Sequence, residues 1–204
     1  MVDRQPHWES VYRNKAADQV GWFQPHAASS LRLVEGCAGR DAHIIDVGGG
    51  ASVLVDDLLD AGYRNLTVLD LAEPALAASR ARLGARAQSV KWIAADITRV
   101  ELPEARYDVW HDRAVFHFLT DPTDRAHYVE QVLKSVKPGG HVIVAAFGPG
   151  GPLQCSGLDV VRYDPEALHA EFGATFRLLG HETETHQTPS GQEQEFVYCY
   201  CVRT

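Results

Sequence analysis

Three consecutive glycines, Gly48, Gly49 and Gly50, close the apolar run "HIIDV". About twenty residues later Asp70 closes "NLTVLD", and further on Asp96 closes "VKWIAAD". Glycines let a ligand approach the backbone, and a helix that follows them offers its free N–H groups. A carboxylate in the place of Asp70 can accept from both hydroxyls of a ribose, each such bond contributing roughly 1.5–3 kcal/mol. A free 2′-hydroxyl suits it; a 2′-phosphate is repelled. Asp96 can accept from an adenine amino group. Taken singly, each position has a plainer reading: a glycine after a strand makes a turn, and an aspartate there caps a helix. Recurrence at the ends of successive strands favours an adenosine site.

The spacing argues against a phosphate ligand. A dinucleotide fingerprint needs G-x-G-x-x-G, and counted from Gly48 its third glycine falls on Val53. No G-x-x-x-x-G-K-[ST] loop is present. A ligand with an adenosine group and no pyrophosphate fits better.

These residues need a scaffold, and the chain alternates strand-like and helix-like segments in the manner of a parallel α/β sheet. Helices are expected over 7–17, from 25 to about 39, and over 52–61, 74–83 and 122–136. Strands are expected over 42–47, 65–70, 90–96, 107–112 and 141–147. The Gly/Pro-rich segment 147–163 reads as a long connection, a length that is often functional. A short helix begins at Asp164-Pro165, and 176–188 with 194–203 reads as a terminal hairpin across "PSGQ". No internal repeat appears.

Composition narrows the class. The 204 residues are 45% apolar with a formal charge of −8, which suits a globular chain and disfavours nucleic-acid binding. No run of about 18 apolar residues occurs, so no membrane span is expected. The N-terminus lacks a signal-peptide pattern. Cys37, Cys155, Cys199 and Cys201 form no CxxC pair and read as reduced thiols in a cytoplasmic protein. Nothing in the pattern specifies an oligomeric state.

"IIDVGGGAS" resembles the glycine motif of class I S-adenosylmethionine-dependent methyltransferases. "LTVLDLAE" is similar to their acidic motif, "AAD" with Ile97 to their adenine-side motif, and "LKSVKPGGHVIVAAF" to a later helix-turn-strand. The likeness runs from about Trp8 to Phe147, and the terminal hairpin suits the family's reversed last strand. Ser52 departs from it, standing where the family has glycine. The resemblance implies an α/β fold: a Rossmann-like, doubly wound, mostly parallel seven-stranded sheet with a C-terminal antiparallel hairpin. It implies one domain, 1–204, with an N-terminal helical cap (1–40), a cofactor-binding core (41–147) and an acceptor-side part (148–204). It implies S-adenosylmethionine as cofactor. Asp46, Gly48, Gly49 and Gly50 would line its methionine side, Asp70 and Leu71 its ribose, and Asp96 and Ile97 its adenine. "GWFQ" looks like a covering segment, in which Trp22 would close over the sulfonium with cation–π help.

Methyl transfer is an in-line displacement from an activated donor, so the protein must align the acceptor, exclude water and, where needed, take a proton. The acceptor is expected above "WHDRAVFHFL". Asp112, Arg113 and His117 are the catalytic candidates there; the plainer readings are an ion pair, a cap and a core histidine. Histidine titrates near neutral pH and suits a general base. Phe118, Cys155 and Tyr163 are the candidates for binding substrate. No histidine set has metal-ligand spacing, and no metal is expected. The segment "HWESVYRNKAADQVGWFQP" and the Asp112-Arg113 pair also resemble the protein-lysine branch. That branch has Asp-Lys-Gly-Thr where this chain has Asp-Arg-Ala-Val, and an acidic residue where His117 stands. A small-molecule acceptor is therefore favoured over a protein acceptor. A non-catalytic sensor of the cofactor is the remaining alternative, and the polar cluster at 112, 113 and 117 counts against it.

Overall fold

The computed structural model describes residues 4–204. Helices α1 (Gln5–Asn14) and α2 (Ala28–Cys37) precede β1 (His43–Val47), which leads to α3 (Leu54–Asp60). Then follow β2 (Asn65–Asp70), α4 (Glu73–Leu83), β3 (Val90–Ala94), β4 (Tyr107–Arg113), α5 (Pro122–Ser135) and β5 (Val136–Phe147). The chain continues through β6 (Gln154–Cys155), β7 (Leu158–Asp159), α6 (Pro165–Phe172), β8 (Phe176–Gln187) and β9 (Glu193–Arg203). The main sheet has seven strands in the order β3-β2-β1-β4-β5-β9-β8. The first five are parallel; β9 lies antiparallel to β5, and β8 antiparallel to β9. This is the Rossmann-like, mostly parallel sheet with a terminal hairpin that the sequence implies.

Successive side chains on a strand point to opposite faces, and the core divides accordingly. Ile44 and Val109 pack on the side of α2, α3 and α4. Ile45, Val47 and Trp110 pack on the other side, against α5 and α6. Because both faces are covered, the central strands are apolar almost throughout. The helix starts follow from capping: the Asp121 carboxylate accepts from the Thr123 N–H (2.8 Å) and Asp164 from the Ala167 N–H (2.7 Å), each with proline next in the chain.

Several boundaries differ from expectation. The helix expected over 52–61 starts at Leu54, because the Ser52 hydroxyl accepts from the Leu54 N–H at 3.1 Å. "KPGG" does not separate helix from strand: β5 begins at Val136, directly after α5. The pairing of β4 with β5 jumps from Tyr107–Val136 to Val109–His141, so the extra residues bulge within the strand. Gly139 takes a φ of +77°, and a Cβ on Gly140 would sit 2.7 Å from Val136 Cγ1. The segment 147–163 contains the small antiparallel pair β6–β7 rather than only a loop. No helix among the described residues is long and apolar enough to cross a membrane.

Candidate active site

Two adjoining cavities lie at the carboxyl ends of the parallel strands, where open α/β sheets bind ligands. Both include Gly48, Trp22 and Arg113 in their walls. The larger is lined by Asp70, Leu71, Asp96, Ile97 and Phe118, and by Trp8 and Tyr12 of α1. The smaller is lined by Asp46, Gly49, Ser52 and His111.

The glycines are there because side chains crowd them. Gly48 has a φ of +72°, and a Cβ on it would fall 1.9 Å from Val115 Cγ2. A Cβ on Gly49 would sit 2.2 Å from Asp46 Oδ2, and one on Gly50 2.5 Å from Asp70 Oδ2. Gly48 and Gly49 reach the cavity walls; Gly50 stands behind Asp70 and donates its N–H to Oδ2 at 3.0 Å.

Asp70 is 7% exposed, and its Oδ1 accepts from the Ala72 N–H at 2.8 Å. Burial pushes its carboxyl up to about 6, against the opposing pull of the Ala72 and Gly50 N–H groups. Each oxygen keeps a lone pair for a further donor. Asp96 Oδ1 accepts from the N–H (2.9 Å) and hydroxyl (2.7 Å) of Thr98, which pins the turn after β3 at the cavity edge. Leu71 and Ile97, each next in the chain to one of these aspartates, add apolar wall to the same cavity.

Asp46 and His111 are register partners on β1 and β4. His111 Nδ1 lies 2.7 Å from Asp46 Oδ1, and Nε2 lies 2.8 Å from the Ser30 hydroxyl of α2. Asp46 Oδ2 is buried and has no hydrogen-bond partner among the described residues.

Arg113 is engaged on three sides. Its Nε donates to the Tyr198 hydroxyl (3.0 Å), one terminal nitrogen to the Trp22 carbonyl (3.2 Å) and the other to Glu184 (3.1 Å). Its guanidinium lies over the Phe196 ring, 4.3 Å from the centroid. Glu184 also accepts from Gln24 (3.0 Å), and His186 Nε2 lies 2.8 Å from the Gly21 carbonyl. The segment carrying Trp22 is thus fastened to β4 and β8 by side chains.

Asp112 and His117 line neither cavity. Asp112 points the other way from Arg113, fully buried, accepting from the Tyr128 hydroxyl (2.6 Å) and the Val115 N–H (2.9 Å). Burial pushes its carboxyl up to about 7. His117 is stacked on Phe147 with centroids 4.3 Å apart, and its Nδ1 accepts from the Phe147 N–H at 3.2 Å. Burial pulls the ring down to about 3, so it is neutral at ordinary pH. Cys155 is half-buried in the apolar cluster on the α2 side, and burial pushes its thiol up to about 11. Tyr163 is buried against Phe116 (5.7 Å). Phe118 reaches the larger cavity and packs edge-on against Trp8 at 4.9 Å. No group of His, Cys, Asp or Glu among the described residues is placed to hold a metal ion.

The sequence reading passed over Tyr12 and Trp8 as cavity residues, although their i, i+4 spacing on α1 puts both aromatics on one helix face. Trp8, Tyr12 and Trp22 meet edge-on or tilted at 5.6–6.4 Å. Glu184 and Tyr198 were also missed. They sit in an alternating hairpin where nothing local marks them, and only the placement of β9 beside β5 brings them under Arg113.

A family model described as "Methyltransferase domain" matches residues 44–140. An eEF1A lysine and N-terminal methyltransferase of Bos taurus is 23% identical over 92% of this chain, which spans a quarter of that protein's length. The ubiquinone/menaquinone biosynthesis C-methyltransferase UbiE of Roseobacter denitrificans is 30% identical over 67% of this chain and half of its own. The crystal structure of Burkholderia thailandensis 1,6-didemethyltoxoflavin-N1-methyltransferase, with 1,6-didemethyltoxoflavin and S-adenosylhomocysteine bound, superposes with a TM-score of 0.67. It is 20% identical and covers 98% of this chain and 84% of its own.

Proposed function

We propose that this chain, whose residues 44–140 match a methyltransferase domain and whose sheet resembles that of the class I S-adenosylmethionine-dependent methyltransferases, methylates a small-molecule acceptor. The observation that carries the proposal is the aromatic enclosure. Trp8, Tyr12, Trp22 and Phe118 line the cavity that holds Asp70 and Asp96 and pack on one another, which leaves a partly enclosed space with largely aromatic walls. Small-molecule sites have this character.

The residues fit the cofactor. Asp70 has lone pairs for two ribose hydroxyls, and Leu71 and Ile97 offer apolar faces for adenine beside the Asp96 carboxylate. Gly48 and Gly49 leave room where a Cβ would collide, and Asp46 keeps an unpartnered oxygen for the methionine end. When bound, S-adenosylmethionine supplies an electrophilic methyl on a sulfonium. Trp22 covers that end and adds cation–π attraction, which shuts out water. Arg113 holds the Trp22 segment in place. Asp112 and His117 shape the end of β4 from behind. Among the described residues, the histidine in the cavity walls, His111, is held between Asp46 and Ser30, so the reading favours an acceptor that is nucleophilic without a histidine base from the protein. All four cysteines are free thiols, consistent with a reducing cytoplasm.

Protein-lysine methylation is the second reading, favoured by the similarity to the eEF1A enzyme along nearly the whole chain. The test is incubation with S-adenosylmethionine labelled on its methyl group and a cell extract, followed by separation of small molecules from protein. Label among extractable small molecules is the expected result. Label in one protein band would establish the lysine reading instead. Cofactor binding with label in neither fraction would make the chain a sensor.

A further inference from the structure

Asp46, His111 and Ser30 form a hydrogen-bonded chain from β1 through β4 to α2. Asp46 and His111 are 3% and 2% exposed, and Ser30 is buried as well. An ionised carboxylate can only accept, so the proton on His111 Nδ1 points at Asp46 Oδ1. Nε2, on the far side of the ring, is hydrogen-bonded to the Ser30 hydroxyl at 2.8 Å, which fixes the ring's orientation. This fixes the carboxylate from one side only. Oδ2 remains without a partner, in a residue that lines the smaller cavity, opposite a glycine whose Cβ would strike it. A buried charged oxygen lacking a donor is costly.

We propose that His111, backed by Ser30, is a positioning residue that holds Asp46 with Oδ2 toward the α-ammonium of the cofactor's methionyl end. This rests on the methyltransferase reading and adds a residue to it. The competing explanation is a satisfied polar bridge that only ties α2 to the sheet. The two differ in which ligand feels the loss. A bridge matters equally to every ligand in the crevice; a positioning residue matters only to ligands carrying the amino-acid end.

The experiment is calorimetric titration with S-adenosylhomocysteine and, separately, with 5′-methylthioadenosine, which has the adenosyl thioether and no amino acid. In His111→Leu the affinity for S-adenosylhomocysteine is expected to fall by roughly 10- to 100-fold, the range of a lost hydrogen bond to a charged group. Affinity for 5′-methylthioadenosine should stay within about twofold. His111→Asn places an amide N–H near the position of Nδ1 and should recover most of the loss. Ser30→Ala, a milder change that keeps the protein testable if His111→Leu misfolds, should weaken S-adenosylhomocysteine alone by several-fold. Equal weakening of both ligands, or of neither, overturns the proposal while the wild-type affinities leave the cofactor assignment standing. A wild-type protein that binds neither ligand overturns the cofactor assignment and the proposal with it.

Discussion

Replacing Asp70 by asparagine changes one atom's charge and one atom's hydrogen-bonding sense. In the native protein both oxygens accept backbone N–H groups, from Ala72 at 2.8 Å and Gly50 at 3.0 Å. An amide can accept at only one of these; its NH2 must face the other donor. That leaves a buried N–H unpaired, at a cost of about 1–3 kcal/mol. Removing the charge works the other way. A carboxyl that titrates near 6 rather than 3.8 costs the native state about 3 kcal/mol once ionised. The sign follows: this group's contribution to stability is best at low pH and declines as pH rises from about 4 through 6. Asp70→Asn should therefore melt within a few degrees of the wild type at pH 7. Binding should respond far more. Losing a charge-assisted bond to a ribose hydroxyl, at roughly 1.5–3 kcal/mol, weakens S-adenosylhomocysteine by about 10- to 150-fold. Wild-type affinity should fall as pH drops through about 6, because the protonated carboxyl is a poorer acceptor, and the asparagine variant should lose that dependence. Calorimetry from pH 8 to pH 5 tests both. An asparagine variant that binds as tightly as the wild type, or a wild type whose affinity is flat across that range, would refute the ribose assignment.

Three further perturbations separate the cavity from its support. Gly48→Ala forces a side chain into a left-handed backbone and against Val115, and should cost about 1–3 kcal/mol in stability and at least tenfold in S-adenosylhomocysteine affinity. Tyr128→Phe strips Asp112 of its hydroxyl donor and Trp110 of its acceptor (2.9 Å), so denaturant melts should show a loss of about 2–4 kcal/mol with cofactor affinity unchanged. That loss should grow as pH rises through about 7, where Asp112 ionises and needs the donor. Glu184→Gln leaves the Arg113 guanidinium without its counter-charge and loosens the Gln24 contact; we expect a destabilisation of about 1–3 kcal/mol and a faster cofactor off-rate by stopped-flow fluorescence of Trp22.

Much of the fold was legible because its signals are local. Apolar runs of five or six residues ending in glycine or aspartate mark buried parallel strands, and Asp121-Pro122 and Asp164-Pro165 mark helix starts. What escaped depends on pairing. "KPGG" carries the composition of a turn, and only the β4–β5 ladder shows that it is absorbed as a bulge. The crevice was legible for the same reason as the strands, since Asp70 ends one and Gly48 and Asp96 stand just past the ends of two others. The partners of those residues were not. His111 meets Asp46 only because β1 and β4 are neighbours in a particular register, and Glu184 meets Arg113 across 71 positions of sequence. Likewise, α1 comes to the cavity through its aromatic face, which in sequence is indistinguishable from an ordinary core-facing stripe.

The "HDR" tripeptide at the end of β4 shows how sheet geometry redistributes apparent function. Adjacent in sequence, Asp112 and Arg113 invite reading as a pair. A strand has a period of two, so His111 and Arg113 share one side and Asp112 takes the other. Arg113 and His111 accordingly line the cavities, while Asp112 joins Tyr128 and Trp110 in a buried chain facing α5. The same alternation divides the energetic roles. On the α5 side the hydrogen bonds of Asp112 are met within the protein and make the strand end rigid. On the cavity side Asp46 is left one donor short and Asp70 is held ionised at a cost, and both deficits are of the kind a cationic, hydroxyl-bearing ligand relieves. A site arranged this way should be stabilised by its cofactor more than its contact area alone implies, because binding removes penalties already present in the free protein.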